Sequence, residues 1–192
     1  MAVERDDVLW AAVPLGSLIL VSYAWMIKDA VRSGRNYKGT LLGHTQPFVY
    51  WVISAVVTAV SWGWLFIYWL LLASRDHTTV FGYSLDTFYG QLIYPLTVFL
   101  ASALTWAPLT IWSAWSRGAW LPRILVTLSL LVTALSSCVL FAMAAGTRDA
   151  TPPNTWSWNE VTLTLAGGMV AAHHVIWDLC VWDATWGPYA SI

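Results

Sequence analysis

Uncharged, largely apolar stretches of about 20 residues alternate along the chain with short polar segments. Four of them run from Val8 to Ile27, from Pro47 to Ser74, from Thr87 to Ser116 and from Ile124 to Thr147, and a shorter one runs from Val161 to Trp177. A helix rises 1.5 Å per residue, so about 20 residues cross a hydrocarbon layer of about 30 Å. The pattern predicts an all-α integral membrane bundle of about five transmembrane helices.

Turn signals set the expected helix boundaries. Pro47 suits the opening of a helix, where a missing amide hydrogen costs least. The turn at residues 116–122, SRGAWLP, is short enough to make its two helices antiparallel neighbours, and Glu160 favours a helix start because of the helix dipole. We expect a single polytopic membrane domain over residues 1–192, with polar loops between helices at about residues 8–31, 47–72, 87–116, 123–145 and 160–184.

The composition agrees with a membrane protein. Hydrophobic residues make up 58% of the chain and charged residues only 10%, whereas a soluble domain carries about 25% charged residues. The net charge of −1 is near zero, and no cofactor or nucleic-acid partner is expected. The expected partners are the lipid bilayer and an apolar small molecule, either a ligand or a substrate.

The distribution of charge predicts an orientation. Six of the nine basic residues fall in the first and third loops, which places these loops in the cytosol. The amino terminus would then face the lumen or exterior and the carboxyl terminus the cytosol. The first apolar stretch follows the acidic sequence MAVERDD and has no basic leader, so it is expected to be a retained helix. A multi-pass protein of the endoplasmic reticulum is the expected localisation.

Tryptophan is abundant, with 15 residues in 192. Many lie near the ends of the spans, where aromatic anchors are common. Others lie within spans, where their polar hydrogens need partners or a cavity. Two explanations stay open: ordinary packing of the bundle, or an aromatic wall around a ligand. The candidate substrate-binding residues are Tyr50, Trp51, Trp62, Tyr94, Trp106 and Trp177.

The last apolar stretch contains ionisable residues in the sequence AAHHVIWDLCVWD. His174 and Asp178 are four residues apart, so in an α-helix they share a face and can meet. His173 is expected to point about 100° away and to take no part in this contact. An ionisable side chain within a membrane costs about 2.5 kcal/mol or more, so such residues usually face the interior of the bundle and have a function.

The carboxylate would favour the charged imidazolium and hold one tautomer of the ring. The alternative is structural: Asp178 close to the cytosolic interface and a histidine donating a hydrogen bond to a neighbouring helix. No metal site is expected, because His44 and His77 are assigned to loops at opposite membrane faces.

A resemblance covers the first two helices and the last one. The sequence SYAWMIKDAVRSGRNYKGTLLGHTQPFVYWVI, Ser22 to Ile53, resembles the fungal membrane-integral terpene cyclases of the paxilline and meroterpenoid pathways. In the last helix of that family an Asp is followed by an aromatic residue and by an apolar-aromatic pair. The same spacing here gives His174, Trp177, Val181 and Trp182, and the turn Ser116-Arg117-Gly118 is also similar.

The resemblance implies cyclisation of an apolar prenylated substrate, begun by proton delivery and assisted by aromatic rings that stabilise the cation. That family has seven helices, and its two acidic positions fall here at Trp51 and His174. The proton-handling role is therefore assigned to Asp178, oriented by His174.

A second resemblance supports a different function. Five helices, a short chain and many tryptophans are similar to the tryptophan-rich sensory protein and translocator protein family, and residues 104–109, LTWAPL, resemble its helix-three motif. This resemblance implies non-enzymatic binding of a sterol or tetrapyrrole. A small membrane scaffold subunit is the third possibility.

Overall fold

The computed structural model describes residues 3–33, 45–73, 76–116, 119–149 and 156–182, and nearly all of them are helical. The side chains of some helix-end residues, Trp51 and Trp182 among them, lie outside this description. The helices are α1 (Arg5–Ser33), α2 (Thr45–Ile67), α3 (Leu85–Trp115), α4 (Trp120–Ala145) and α5 (Trp158–Ala172). Two π-helical segments extend this set: Tyr68–Leu72 continues α2, and His173–Trp182 continues α5.

Among the described residues, five helices are long and apolar enough to cross a membrane. The predicted all-α architecture is thereby confirmed. Several helices begin two or three residues before the predicted positions, because polar residues join their first turns. Asp6 and Asp7 stand in the first turn of α1 and Asp86 in that of α3, where the positive end of the helix dipole favours carboxylates.

The helices pack as a bundle in which α3 and α4 form the most extensive pair. Helix α1 packs on α3, α4 packs on α5 and its π-helical extension, and α5 packs on α2. The larger apolar cluster joins the first turns of α1 to the end of α2, and includes Val8, Leu65, Trp69, Phe88, Leu92, Leu140 and Leu163. A second cluster lies nearer the other end and includes Met26, Trp106, Ile111, Val126 and Leu130.

A small sheet closes one end of the bundle, where only polar loops were predicted. It consists of β1 (Thr79–Val80), β2 (Tyr83–Ser84) and β3 (Thr147–Arg148), antiparallel in the order β2-β1-β3. The β1-β2 hairpin turns at Phe81 and Gly82, whose φ angles of 52° and 80° are both positive, as in a type I′ turn. We call this the capped end of the bundle.

Candidate functional site

The ionisable residues of the last helix lie on its π-helical part. From His173 to Trp182 the helix is wider than an α-helix, because backbone hydrogen bonds in a π-helix join residues five apart instead of four. Each turn therefore contains more than 3.6 residues. Consequently, the residues four and five positions after a given residue both lie on nearly the same face of the helix, one to each side of it. Segments of this kind are rare and often occur at functional sites.

This geometry brings three side chains together, which we call the His-His-Asp cluster: His173, His174 and Asp178. The Nδ1 atom of His174 lies 2.7 Å from Oδ2 of Asp178, and Nε2 of His173 lies 3.5 Å from Oδ1. The predicted contact between His174 and Asp178 is confirmed. The prediction that His173 points away was wrong, because it assumed the periodicity of an α-helix and the segment is a π-helix.

The cluster is buried within the bundle. The exposed fractions of His173, His174 and Asp178 are 5%, 7% and 4%. Nδ1 of His173 is hydrogen bonded to Oγ of Ser54 on α2, at 2.9 Å. Ser54 lies nine residues after the start of α2 at Thr45, about 14 Å along the helix at 1.5 Å per residue. The ionisable groups therefore face the interior of the bundle, near the start of the apolar span Ile53–Leu72 and the end of the span Trp158–Cys180.

Aromatic residues of α1, α2 and α3 lie near the cluster. The ring of Phe99 lies edge-on to His174, with 5.0 Å between centroids, and Trp62 packs against Phe99 at 4.8 Å. Nε1 of the buried Trp106 donates a hydrogen bond to the Tyr23 hydroxyl at 3.1 Å. The Tyr23 phenol in turn interacts electrostatically with Asp178. The cluster is thus enclosed by apolar faces and a few oriented polar hydrogens.

The structure brings only part of the predicted aromatic set to this site. Trp62 and Trp106 are each one ring removed from the cluster, Trp62 through Phe99 and Trp106 through Tyr23. Trp177 stacks on Tyr50 at a centroid distance of 6.4 Å, but Tyr50 is 58% exposed on the outside of the bundle. Trp51 belongs to α2, but its side chain lies outside the described residues.

Tyr94, which was predicted to line the site, lies on the outside of the bundle. Its side chain is 73% exposed, because it lies two residues from both Leu92 and Leu96, which face the core from the opposite side of α3. Neither Tyr94 nor Tyr50 faces the enclosed part of the site.

Sequence reasoning missed Tyr23, Ser54 and Phe99, and it excluded His173. A signal for Ser54 was present in α2, where Ser54, Thr58 and Ser61 recur at helical spacing in an apolar sequence and turn inward. For Phe99 and Tyr23 no signal separates them from ordinary core aromatics.

One nitrogen of the cluster is left without a partner. Nε2 of His174 is buried and has no hydrogen-bond partner. When Asp178 is ionised and accepts the Nδ1 hydrogen of His174, the Nε2 atom presents a bare lone pair, or an acidic hydrogen once the ring is protonated. A carboxylate that fixes one tautomer of an imidazole is the arrangement found in acid–base sites. The cluster can therefore hold a proton and transfer it at Nε2.

The capped end contains a second group of acids, of which Glu160 is buried and Asp149 is half-buried. Glu160 is only 2% exposed and begins α5 in a capping box: Oε2 accepts the N–H of Ser157 at 3.0 Å, and Ser157 Oγ accepts the N–H of Glu160 at 3.2 Å. The other oxygen, Oε1, accepts the N–H of Asp149 at 2.9 Å. The expected helix-start role of Glu160 is thus confirmed.

Asp149 follows β3 and links the same end of the bundle together. Its Oδ1 accepts hydrogen bonds from the Tyr68 hydroxyl and from Oγ1 of Thr78, the latter at 3.1 Å. Its Oδ2 accepts one from Nδ2 of Asn159 at 3.1 Å. Both acids at the capped end therefore have partners on each oxygen. Asp149 was not singled out from the sequence.

A groove of about 530 Å³ runs between α3 and α4 on the outside of the bundle. Its walls are Leu104, Pro108, Leu109, Leu125, Leu128 and Val132, with Ser102, Thr105 and Ser129 at its base. The hydroxyls at the base bond to one another and to the backbone, with 2.9 Å between Thr105 Oγ1 and Ser129 Oγ. The surface offered by the groove is therefore nearly all apolar.

Comparison of the chain with protein-family models, with curated proteins and with solved structures gave no match. Both resemblances noted in the sequence accordingly stay predictions, and the geometry of the site is the basis for any functional proposal.

Proposed function

We propose that this protein is an integral membrane enzyme that transfers a proton to an apolar substrate within the bilayer. The observation that carries the proposal is the unpartnered Nε2 of His174, on a ring whose Nδ1 lies 2.7 Å from the buried Asp178. The sequence assigned proton delivery to Asp178 with His174 orienting it. The geometry supports the reverse division: Asp178 holds the ring, and His174 carries the proton.

The environment supports this division of roles. Oδ2 of Asp178 lies 2.7 Å from Nδ1 of His174, so the carboxylate can hold the ring in one orientation with Nε2 turned away from it. Asp178 is also approached by Nε2 of His173 at 3.5 Å, which supplies a second place for the proton. A buried group that is left unpaired costs about 1–3 kcal/mol, and a reacting atom that binds there would relieve that cost.

The finer proposal is a cyclisation of terpenoid type. An epoxide or alkene on a prenylated substrate would receive the proton, and the faces of Trp62, Phe99 and Trp106 would stabilise the resulting cation. This step rests on the resemblance to the membrane-integral terpene cyclases. The same proposal places the protein in the endoplasmic reticulum, with its amino terminus facing the lumen and its carboxyl terminus facing the cytosol.

The test uses microsomal membranes that contain the full chain, incubated with farnesyl arenes bearing a terminal epoxide. We expect His174→Gln and Asp178→Asn each to lower the rate of cyclised product by about 100-fold or more. Cys180→Ser is the matched control, because Cys180 lies on the same π-helix but is exposed. Full activity in either cluster variant, with wild-type amounts of folded protein, would contradict the proposal.

A second candidate function is supported by the groove between α3 and α4. Its volume lies in the range of small-molecule sites, about 300–1,000 Å³, and residues 104–109 of the translocator-like motif supply part of its wall. In this alternative the protein binds a sterol or tetrapyrrole without chemistry.

Quenching of tryptophan fluorescence by a porphyrin or a fluorescent sterol tests the alternative. Saturation at about one ligand per chain is expected, together with loss of binding in Val132→Trp, which fills the groove. The control is Leu135→Trp, since Leu135 is exposed on α4 and is not part of the groove wall. Quenching that never saturates, or that is equal in both variants, counts against binding at the groove.

A further inference from the structure

We infer that the His-His-Asp cluster is a binding site for a divalent transition-metal ion, which goes beyond the proposed proton transfer. One ligating atom from each of His173, His174 and Asp178 can be chosen so that all three lie within 4.8 Å of one another. In a tetrahedral zinc site with bonds of about 2.0–2.1 Å, the ligand atoms lie about 3.3 Å apart. Small rotations of three side chains on one helical segment therefore complete the set.

One tautomer of His173 favours a cation at the cluster. When Nδ1 of His173 donates to Oγ of Ser54, its Nε2 lone pair faces an oxygen of Asp178 at 3.5 Å. Two acceptors at this distance repel each other unless a proton or a metal ion lies between them. A hydrogen bond that fixes the tautomer of a ligating histidine from its far nitrogen is the usual support of a metal site. Ser54 supplies it here from a different helix.

The unpartnered Nε2 of His174 is an independent sign that the cluster has room for a ligand. The residue is 93% buried, yet this nitrogen meets no donor or acceptor. Buried polar atoms are rarely left unsatisfied in a folded protein. Both ring nitrogens of an imidazole can ligate a metal ion, so the buried Nε2 of His174 is free to take a further partner.

The donor set indicates which ions fit. Two imidazoles and one carboxylate suit Zn²⁺ and Fe²⁺, and leave at least one coordination position open. The carboxylate offsets only one of the two charges of such an ion. An anionic fourth ligand such as hydroxide would make the buried site neutral, which the low dielectric of the bundle favours.

The experiment measures metal content and affinity on the purified full chain in detergent. Chelator-treated protein is dialysed against Zn²⁺, or against Co²⁺ as a coloured probe, and the bound metal is counted by mass spectrometry. We expect about one ion per chain and visible Co²⁺ absorption bands of a low-coordination site. His173→Ala, His174→Ala and Asp178→Asn should each lower the affinity by about 100-fold or more, and Ser54→Ala by about 10-fold.

Two matched controls come from the same chain. Cys180→Ser and His77→Ala replace an exposed potential ligand on the π-helix and one in the turn before β1, and both should leave one ion bound. Intrinsic tryptophan fluorescence and the unfolding midpoint check that each variant is folded. Less than about a tenth of an ion in the wild type, or equal binding in the folded cluster variants, overturns the inference.

The outcome is separable from that of the proposed function. His173→Ala removes a metal ligand but keeps the contact between His174 and Asp178. If cyclised product forms in chelator-treated wild type and in His173→Ala, and no ion binds, the proton-transfer proposal stands and the metal inference fails. If one ion binds through the three residues but no proton-dependent product forms, the metal inference stands and the enzymatic proposal fails.

Discussion

The two groups of acids in this molecule, each with a buried carboxylate in Glu160 or Asp178, are satisfied in different ways, and Asp149 beside Glu160 is only half-buried. At the capped end, both oxygens of Glu160 accept backbone N–H groups, and Asp149 accepts hydrogen bonds on both oxygens from three segments of the chain. In the His-His-Asp cluster, Asp178 contacts two histidine rings, and Nε2 of His174 has no hydrogen-bond partner.

We propose that this difference separates a structural role from a chemical one. A carboxylate that accepts backbone hydrogens replaces the bonds that a helix end lacks, so it stabilises the fold directly. Acids and bases that bond mainly to each other add little to stability, because their burial opposes their attraction. Their position inside the bundle is therefore better explained by a function than by folding.

The largest effect on stability is expected from Glu160→Ala. The substitution leaves the part-buried N–H groups of Asp149 and Ser157 without their acceptor and removes half of the capping box. We expect the free energy of unfolding to fall by about 3 kcal/mol. Denaturation in mixed detergent micelles measures it. Glu160→Gln, which keeps one carbonyl acceptor, should lose less, and equal losses in the two variants would contradict the assignment of both oxygens.

A smaller loss is expected from Tyr68→Phe. This variant removes the hydroxyl that donates to Asp149 but keeps the ring, which packs against Trp64. Asp149 retains Thr78 and Asn159 as donors, so the cost should be about 1–1.5 kcal/mol in the same denaturation assay. A loss as large as that of Glu160→Ala would mean that the Tyr68 contact, and not the capping box, holds this end together.

The smallest effect is expected from Thr110→Val. Thr110 is completely buried on α3, and its hydroxyl has no hydrogen-bond partner. An isosteric methyl group removes the unsatisfied hydroxyl, so stability should rise by about 0.5–1 kcal/mol. Activity should not change, because Thr110 takes no part in the cluster. A drop in stability would show that this hydroxyl has a partner after all.

Hydropathy was sufficient to predict the five helices, because a bilayer imposes one length and one composition on every span. The capping role of Glu160 was also predictable, since it follows from the short sequence Ser157 to Glu160 and the helix dipole. The sheet at the capped end was not, because strands of two residues carry no periodicity. Its one local signal was Phe81-Gly82, where a glycine permits a positive φ.

The candidate site was only half predictable, and the reason is the period of the helix. A spacing of four residues predicted the contact of His174 with Asp178, which holds in both α- and π-helices. The contact of His173 with the Asp178 carboxylate requires the π-helix, and no pattern in the sequence predicts that the α-helix changes to a π-helix there. The prediction that Tyr94 and Tyr50 line the site was wrong for a related reason. In an apolar span, the face toward lipid and the face toward the core have similar compositions, so the sequence does not show which face is buried.

The most direct test of the central claim replaces the whole cluster and measures stability alone, without a substrate. The triple variant His173→Leu, His174→Leu, Asp178→Leu exchanges three ionisable side chains for apolar ones of similar size. We predict an unfolding free energy equal to that of the wild type or higher by about 1–4 kcal/mol, because a buried ionisable group is often outweighed by good apolar packing. A loss of 2 kcal/mol or more, approaching that of Glu160→Ala, would show that the cluster is structural and would contradict the account.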